Sequence, residues 1–130
     1  MRYRKLQGQA LIFVQPKDRD MSLEEFARQV FTDLAISKWQ GFCGSQAPNS
    51  DGFAGCAVNI EVVIGREDED SEYSFGVSLQ PKIAFGDTDY LVEHARNIAK
   101  HWSHLGWRCF VPREGLYEIT DFENGYVYAA

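Results

Sequence analysis

The sequence predicts an α+β domain of the ferredoxin-like type: a β-α-β-β-α-β order, an antiparallel sheet with two helices on one face, and an added C-terminal β-hairpin. Three observations favour this fold class. Apolar residues recur at helical spacing in two segments, and they alternate with polar residues in the segments between and around them. The dipeptide Asn124-Gly125, a strong hairpin signal, precedes the last alternating segment.

The first strand and the first helix carry clear local signals. Residues 10–14 are mostly β-branched or aromatic, which is typical of an inner strand. Ser22 and Glu25 have the spacing of a capping box, in which each side chain satisfies a free backbone amide of the other. Apolar residues then recur from Leu23 at positions i, i+3, i+4, i+7, i+8 and i+11. We therefore expect a helix that ends before Gly41.

Residues 41–55 contain four glycines and one proline without any periodicity, and this composition predicts a long loop. Loops of this length are uncommon in compact domains and are often functional. The segment lacks the lysine and the following helix that phosphate-binding loops require, so it does not predict a nucleotide site.

Two alternating segments, residues 57–64 and 73–80, predict a hairpin with one face on the core. Their connection, residues 67–72, holds five carboxylates in six residues. Repulsion between the carboxylates favours a solvated turn. This turn either keeps the hairpin soluble and its edge unpaired, or it recognises a basic partner.

The second helix is expected to begin near Asp87 or Thr88 and to end at Gly106 in a left-handed cap. A strand over residues 107–111 follows, and residues 116–123 and 126–128 form the terminal hairpin. The apolar stripe of the helix consists of Leu91, Ala95, Ile98, Trp102 and Leu105.

Three histidines, His94, His101 and His104, lie on the second helix. At about 100° per residue His101 lies about 20° from His94, so these two imidazoles are placed to share one ligand. The apolar stripe lies directly beside both of them, and packing at the boundary of the core is the simpler explanation. No metal site is predicted.

The cysteines, Cys43, Cys56 and Cys109, lack the close paired spacing of zinc sites. Cys43 is a candidate nucleophile with His94 or His101 as its base, although an ordinary small apolar residue at the root of the loop is the alternative. The odd number of cysteines and the polar start of the chain favour a reducing, cytoplasmic compartment. We expect no cofactor.

The formal net charge of −6 disfavours nucleic acid and anionic lipid as partners. The longest apolar run, residues 10–14, is far shorter than the roughly 20 residues of a membrane span. Residues 1–130 are therefore expected to form a single domain without a membrane segment.

Taken together, these features predict a non-enzymatic protein-binding module, an inhibitor or immunity-type protein that engages a basic protein partner. Tyrosines suit such a surface because they are enriched at interface hot spots. An exposed terminal hairpin could also pair with that of a second copy and extend the sheet across a homodimer. The alternative function is a small enzyme or ligand-binding domain that uses the 41–55 loop with Cys43 and a helix-two histidine. The expected partner-binding residues are Glu67, Asp68, Glu69, Asp70, Glu72, Tyr117, Tyr126 and Tyr128.

Overall fold

The computed structural model describes residues 4–5, 10–42, 52–57, 60–67, 71–81, 89–113, 116–117 and 125–129. These residues form strands and two helices, so the predicted α+β class is confirmed. In chain order the elements are β1 (Arg4–Lys5), β2 (Ala10–Gln15), α1 (Leu23–Asp33), β3 (Trp39–Phe42), β4 (Gly52–Cys56), β5 (Ile60–Arg66), β6 (Phe75–Pro81), α2 (Asp89–His104), β7 (Arg108–Pro112), β8 (Leu116–Tyr117) and β9 (Gly125–Tyr128).

Seven of the described strands form one antiparallel sheet in the order β3-β4-β5-β6-β2-β7-β9. Strands β1 and β8 pair with each other in a separate two-stranded sheet. Strand β2 is an inner strand between β6 and β7 because its apolar run can be buried on both faces. Ile12 and Val14 face the helices and are fully buried, whereas Phe13 is buried on the opposite face.

Helix α1 begins at the predicted cap. The Ser22 hydroxyl oxygen accepts a hydrogen bond from the Glu25 backbone N–H at 3.1 Å, and the hydroxyl lies 3.3 Å from the Glu25 carboxylate. The helix ends at Asp33, and Ala35 adopts a positive φ of 58°. The Ile36 backbone N–H donates to the Phe31 carbonyl at 2.8 Å and thereby closes the end of the helix.

Helix α2 ends as the glycine predicts. Gly106 has a φ of 91°, a conformation that favours glycine, and its N–H donates to the Ser103 carbonyl at 3.1 Å. Leu105, which the sequence pattern places on the apolar stripe, is 51% exposed because it lies beyond the last helical residue, His104. Within the described residues, neither helix is long and apolar enough to cross a membrane.

A row of four aromatic rings joins both helices to the sheet. The Trp102 ring lies 5.4 Å from the Trp107 ring, and the Trp107 ring lies 5.4 Å from that of Phe26. Phe26 stacks on Phe75 with a centroid distance of 4.2 Å. Aromatic pairs of this kind add about 0.5–1.5 kcal/mol each beyond the burial of their area. The row, which we call the aromatic row, therefore fixes α1 and α2 on one face of the sheet, as predicted.

The ferredoxin-like strand order is not confirmed. The chain forms two further strands, β3 and β4, between α1 and β5, and β9 extends the other end of the sheet. Six of the fifteen residues of the predicted 41–55 loop therefore lie in strands, since residues 41–42 end β3 and residues 52–55 belong to β4. Residues 43–51 lie outside the described residues.

The predicted terminal hairpin also differs from the structure. Strand β9 pairs with β7, from Cys109 opposite Tyr128 to Pro112 opposite Gly125. Residues 116–117 pair with residues 4–5 instead. A Cβ atom on Gly125 would lie against the Val111 carbonyl oxygen, so this glycine permits the close approach of β9 to β7.

Gly55 lies on β4 where the end of α1 packs closely against the strand. Its position under α1 leaves no room for a side chain, because a Cβ atom would lie 2.9 Å from both Phe31 and Ile36 and 3.0 Å from Trp39. The glycine therefore allows the end of α1 to pack directly on β4. Its function in this protein is close packing and not the conformational freedom that the sequence pattern suggests.

Replacing Gly55 with alanine tests this packing. We expect Gly55→Ala to lower the free energy of unfolding by about 1–3 kcal/mol, because the added methyl group overpacks the contact between α1 and β4. Urea denaturation followed by tryptophan fluorescence measures the change.

The matched control is Gly65→Ala on β5, where a Cβ atom would have no neighbour within 4 Å. This variant should be neutral or up to about 1 kcal/mol more stable, because alanine loses less backbone entropy on folding. Equal effects of the two substitutions would contradict the packing role of Gly55.

Candidate functional site

The acidic turn, residues 67–72, lies at one end of the seven-stranded sheet. The last paired residues of β5 and β6 are Arg66 and Phe75, and the turn lies beyond them. The Glu67 backbone N–H donates to the Ser74 carbonyl at 2.8 Å and continues the ladder by one step. The base of the turn is therefore held by backbone hydrogen bonds.

Glu72, one carboxylate of the acidic turn, forms a long ion pair with a cation of β7. Glu72 lies 3.7 Å from Arg108, and both side chains are about half exposed. Because both groups remain in contact with water, a pair of this kind contributes only about 0–1 kcal/mol to stability. Asp68, Glu69 and Asp70 lie outside the described residues.

The tyrosines predicted to bind a partner are far from the acidic turn in strand order. Strand β9, which carries Tyr126 and Tyr128, is three strands away from β6. Both tyrosines lie on the helix-facing side of β9, because their partners Val111 and Cys109 point into the core. Tyr117 lies in β8, opposite Arg4. Among the described residues, Glu67 and Glu72 of the turn therefore lie apart from Tyr126 and Tyr128 of β9 in the strand order.

A cleft of about 580 Å³ lies between α2 and β9, and we call it the α2–β9 cleft. Arg96 and Lys100 reach it from successive turns of α2, and Arg113 reaches it from the residue after β7. Glu93 is the carboxylate that lines it. The described lining residues therefore include three cations and one carboxylate, although the chain as a whole is acidic.

Both tyrosines of β9 hold Arg96 in place. The Arg96 Nε donates to the Tyr128 hydroxyl oxygen at 2.8 Å, and this hydrogen bond raises the pKa of Arg96 above its ordinary value. The guanidinium carbon of Arg96 lies 3.7 Å from the centre of the Tyr126 ring. The guanidinium carbon of Arg113 lies 5.5 Å from the same ring. The aromatic side chains therefore position two cations by cation–π contact.

Sequence reasoning misses the α2–β9 cleft, although two signals for it are present. Arg96 and Lys100 are four residues apart, which places them on one side of a helix. Tyr126 and Tyr128 are two apart, which places them on one face of a strand. That the two pairs meet follows only from the pairing of β9 with β7.

The histidines on α2 do not form a metal site in the described part of the chain. His101 Nε2 lies 3.0 Å from the Asp33 carboxylate, which also accepts a hydrogen bond of 2.8 Å from the Trp102 indole. His94 and His104 are exposed. No group of three or more His, Cys, Asp or Glu side chains that could hold a metal ion occurs among the residues described. The contacts of Asp33 with His101 and Trp102 thus link the end of α1 to α2.

The three cysteines have different surroundings. Cys43, the candidate nucleophile, lies outside the described residues. Cys56 is exposed on β4, opposite Glu61. Cys109 is fully buried, and burial raises the pKa of its thiol to about 12. Because the thiolate is the reactive form, Cys109 is expected to be inert in the folded protein.

A second cleft, of about 490 Å³, lies over β3 and β4. Trp39, Cys56 and Glu61 are among its lining residues. Trp39 is held by a stacked contact with Phe31, at a centroid distance of 5.1 Å. Among the described residues, Cys56 is the thiol that lines this cleft.

Removing the Asp33 carboxylate should weaken the contact between the end of α1 and α2. We expect Asp33→Ala to lower the free energy of unfolding by about 1–3 kcal/mol, because the buried Trp102 indole N–H loses its acceptor. Urea denaturation measures the loss, and Asp33→Asn, which keeps an acceptor oxygen, should recover part of it. Thr32→Ala, at the exposed neighbouring position, serves as the control, and an equal loss in that variant would contradict the role of Asp33.

The buried Cys109 thiol should make stability depend on pH in the alkaline range. In the unfolded chain the thiol ionises near its ordinary pKa of 9.0, whereas in the folded protein it stays protonated up to about 12. The unfolded state therefore binds fewer protons between these values, and the free energy of unfolding falls as the pH rises above about 9.

Between pH 8 and pH 10.5 the free energy of unfolding should fall by about 2 kcal/mol less in Cys109→Val than in the wild type. Urea denaturation in the presence of a reductant measures this fall. Tyr73, whose pKa is also raised by burial, should leave a residual slope in the variant. Cys56→Ser, at an exposed position, should retain the full dependence. If the free energy of unfolding of Cys109→Val fell with pH as steeply as that of the wild type, a group other than Cys109 would cause the pH dependence.

No similarity to a protein family, a curated protein or a solved structure assigns a function to this chain. Neither protein-family models, nor curated proteins, nor solved structures match it. A function for the chain is therefore inferred from its own residues and their arrangement.

Proposed function

We propose that this chain is a non-enzymatic protein-binding module, of the inhibitor or immunity type, that engages a basic protein partner. The observation that carries the proposal is the acidic turn at the end of the β5–β6 hairpin. It concentrates five carboxylates in six residues on a chain with a net charge of −6. Such a concentration of charge attracts a basic surface and speeds the encounter with it.

The position of the acidic turn supports binding. The turn follows the pair Arg66–Phe75 at the end of the two strands, and Glu72 is exposed. The contact of Glu72 with Arg108 is long and half exposed, so it leaves the Glu72 carboxylate accessible to a partner. A partner with clustered arginines would form charge-assisted hydrogen bonds with these carboxylates.

Strand β9 offers a partner a second contact surface, apart from the acidic turn. It is the last strand of the seven-stranded sheet in the described residues, and Val127 on its outer face is 52% exposed. Tyr126 and Tyr128 lie on the other face and remain partly exposed. A strand of this kind offers backbone hydrogen bonds and side-chain pockets to a partner.

Neutralising the turn tests the proposal directly. The variant Asp68→Asn, Glu69→Gln, Asp70→Asn removes charge from the acidic turn without touching Glu67 or Glu72 at its ends. Immobilised wild type should retain a specific basic protein from a lysate of the native host in a salt-sensitive manner, and this variant should lose most of that retention. Mass spectrometry of the retained proteins measures the difference.

The matched control removes the same number of negative charges from exposed positions elsewhere, with Asp18→Asn, Asp20→Asn and Glu24→Gln. Glu93 is left unchanged, because it lines the α2–β9 cleft beside the tyrosines of β9. This control should retain the partner almost as well as the wild type, because a local field and not the net charge drives the encounter. Equal retention by the two triple variants, or retention of a partner without a basic surface, would refute the proposal.

A further inference from the structure

We propose that the α2–β9 cleft is a binding site for a small oxyanion that carries two negative charges, such as a phosphate ester or a dicarboxylate. This site lies away from the acidic turn, and the inference does not depend on the proposed protein-binding function. It assigns to the chain a ligand whose charge is opposite to that of the expected protein partner.

The first argument is the concentration of positive charge. Arg96, Lys100 and Arg113 line one cleft, with Glu93 as the opposing carboxylate among the residues described. Glu93 forms no ion pair within 4 Å in the described part of the chain, so it does not neutralise the arginines by direct contact. The three like charges repel one another, and an anion between them relieves this repulsion.

The second argument is that Arg96 is already oriented. Its Nε is bound to the Tyr128 hydroxyl, and its guanidinium lies 3.7 Å from the centre of the Tyr126 ring. These contacts engage Nε and one face of the guanidinium, and no described residue is seen to accept from its two terminal amino groups. A guanidinium that is held in this way loses little entropy when it binds a carboxylate or phosphate through two parallel hydrogen bonds.

The third argument is that a hydroxyl donor accompanies the cations. The Tyr128 hydroxyl oxygen accepts from Arg96, and its own proton is therefore directed to another acceptor. An oxyanion is an acceptor of this kind. A cationic ligand would be repelled by the three cations of the cleft, and a neutral ligand would compensate none of their charge.

The size and the charge of the surroundings select a small molecule. The cleft of about 580 Å³ lies within the range of roughly 300–1,000 Å³ that small ligands occupy. A polyanion such as nucleic acid would meet the remaining surface of a chain with a net charge of −6. A small ligand contacts only the cleft and avoids this repulsion.

Isothermal titration at low ionic strength, with inorganic phosphate and with succinate as separate probes, tests the site. We expect binding at one site. Arg113→Gln should weaken it about tenfold or more, since a charge-assisted hydrogen bond is lost. Arg113 is exposed, so this variant should keep its fold, which thermal unfolding checks. Tighter binding of phosphate assigns phosphate esters, and tighter binding of succinate assigns dicarboxylates; either result supports the site.

Two further variants separate a built site from general electrostatics. Tyr128→Phe keeps every charge but removes the hydrogen bond that orients Arg96, and it should weaken binding severalfold. Arg19→Gln removes one positive charge from an exposed position outside the cleft and should change the affinity less than about twofold. Absence of binding by both probes at about 10 mM, or equal weakening in Arg19→Gln and Arg113→Gln, would overturn the inference.

Discussion

The aromatic row is the interaction on which the other features of this structure depend. Two helices lie side by side on one face of the sheet, and the rings of Trp102, Trp107, Phe26 and Phe75 connect both of them to it. Rings of this size cannot shift independently in a densely packed interior, so the position of one helix sets that of the other. The Asp33 carboxylate adds a polar link, because it accepts a hydrogen bond from the Trp102 indole while it lies at the end of α1.

The placement of α2 by this row creates the α2–β9 cleft. The buried side of α2 includes Ala95 and Ala99, whose small side chains bring the helix close to the sheet. Arg96 follows directly after Ala95 and so points to the flank of the helix, where β9 ends the described sheet. There it meets two tyrosine side chains of β9. The same packing that buries the core therefore brings cations and aromatic rings together at its border.

The charges of the chain are concentrated in two separate regions. The acidic turn connects β5 to β6, two inner strands of the sheet, whereas the α2–β9 cleft lies against β9, the last strand in the described order. The first region suits a basic protein and the second a small anion, because each attracts a charge opposite to its own. A chain that binds both would present two recognition surfaces on one sheet.

The sequence by itself determined the features whose interactions lie within a few residues. These are the Ser22 cap of α1, the Gly106 end of α2, and the alternation that pairs β5 with β6. The tertiary structure alone decided the features that join distant residues. Gly55 looks like a loop residue until Phe31 and Ile36 are seen to pack against it. Likewise Arg96 and Tyr128 are 32 residues apart, and Asp33 and His101 are 68 apart. Local patterns report backbone preferences, whereas such contacts depend on which strands become neighbours, and many distant residues together set that choice.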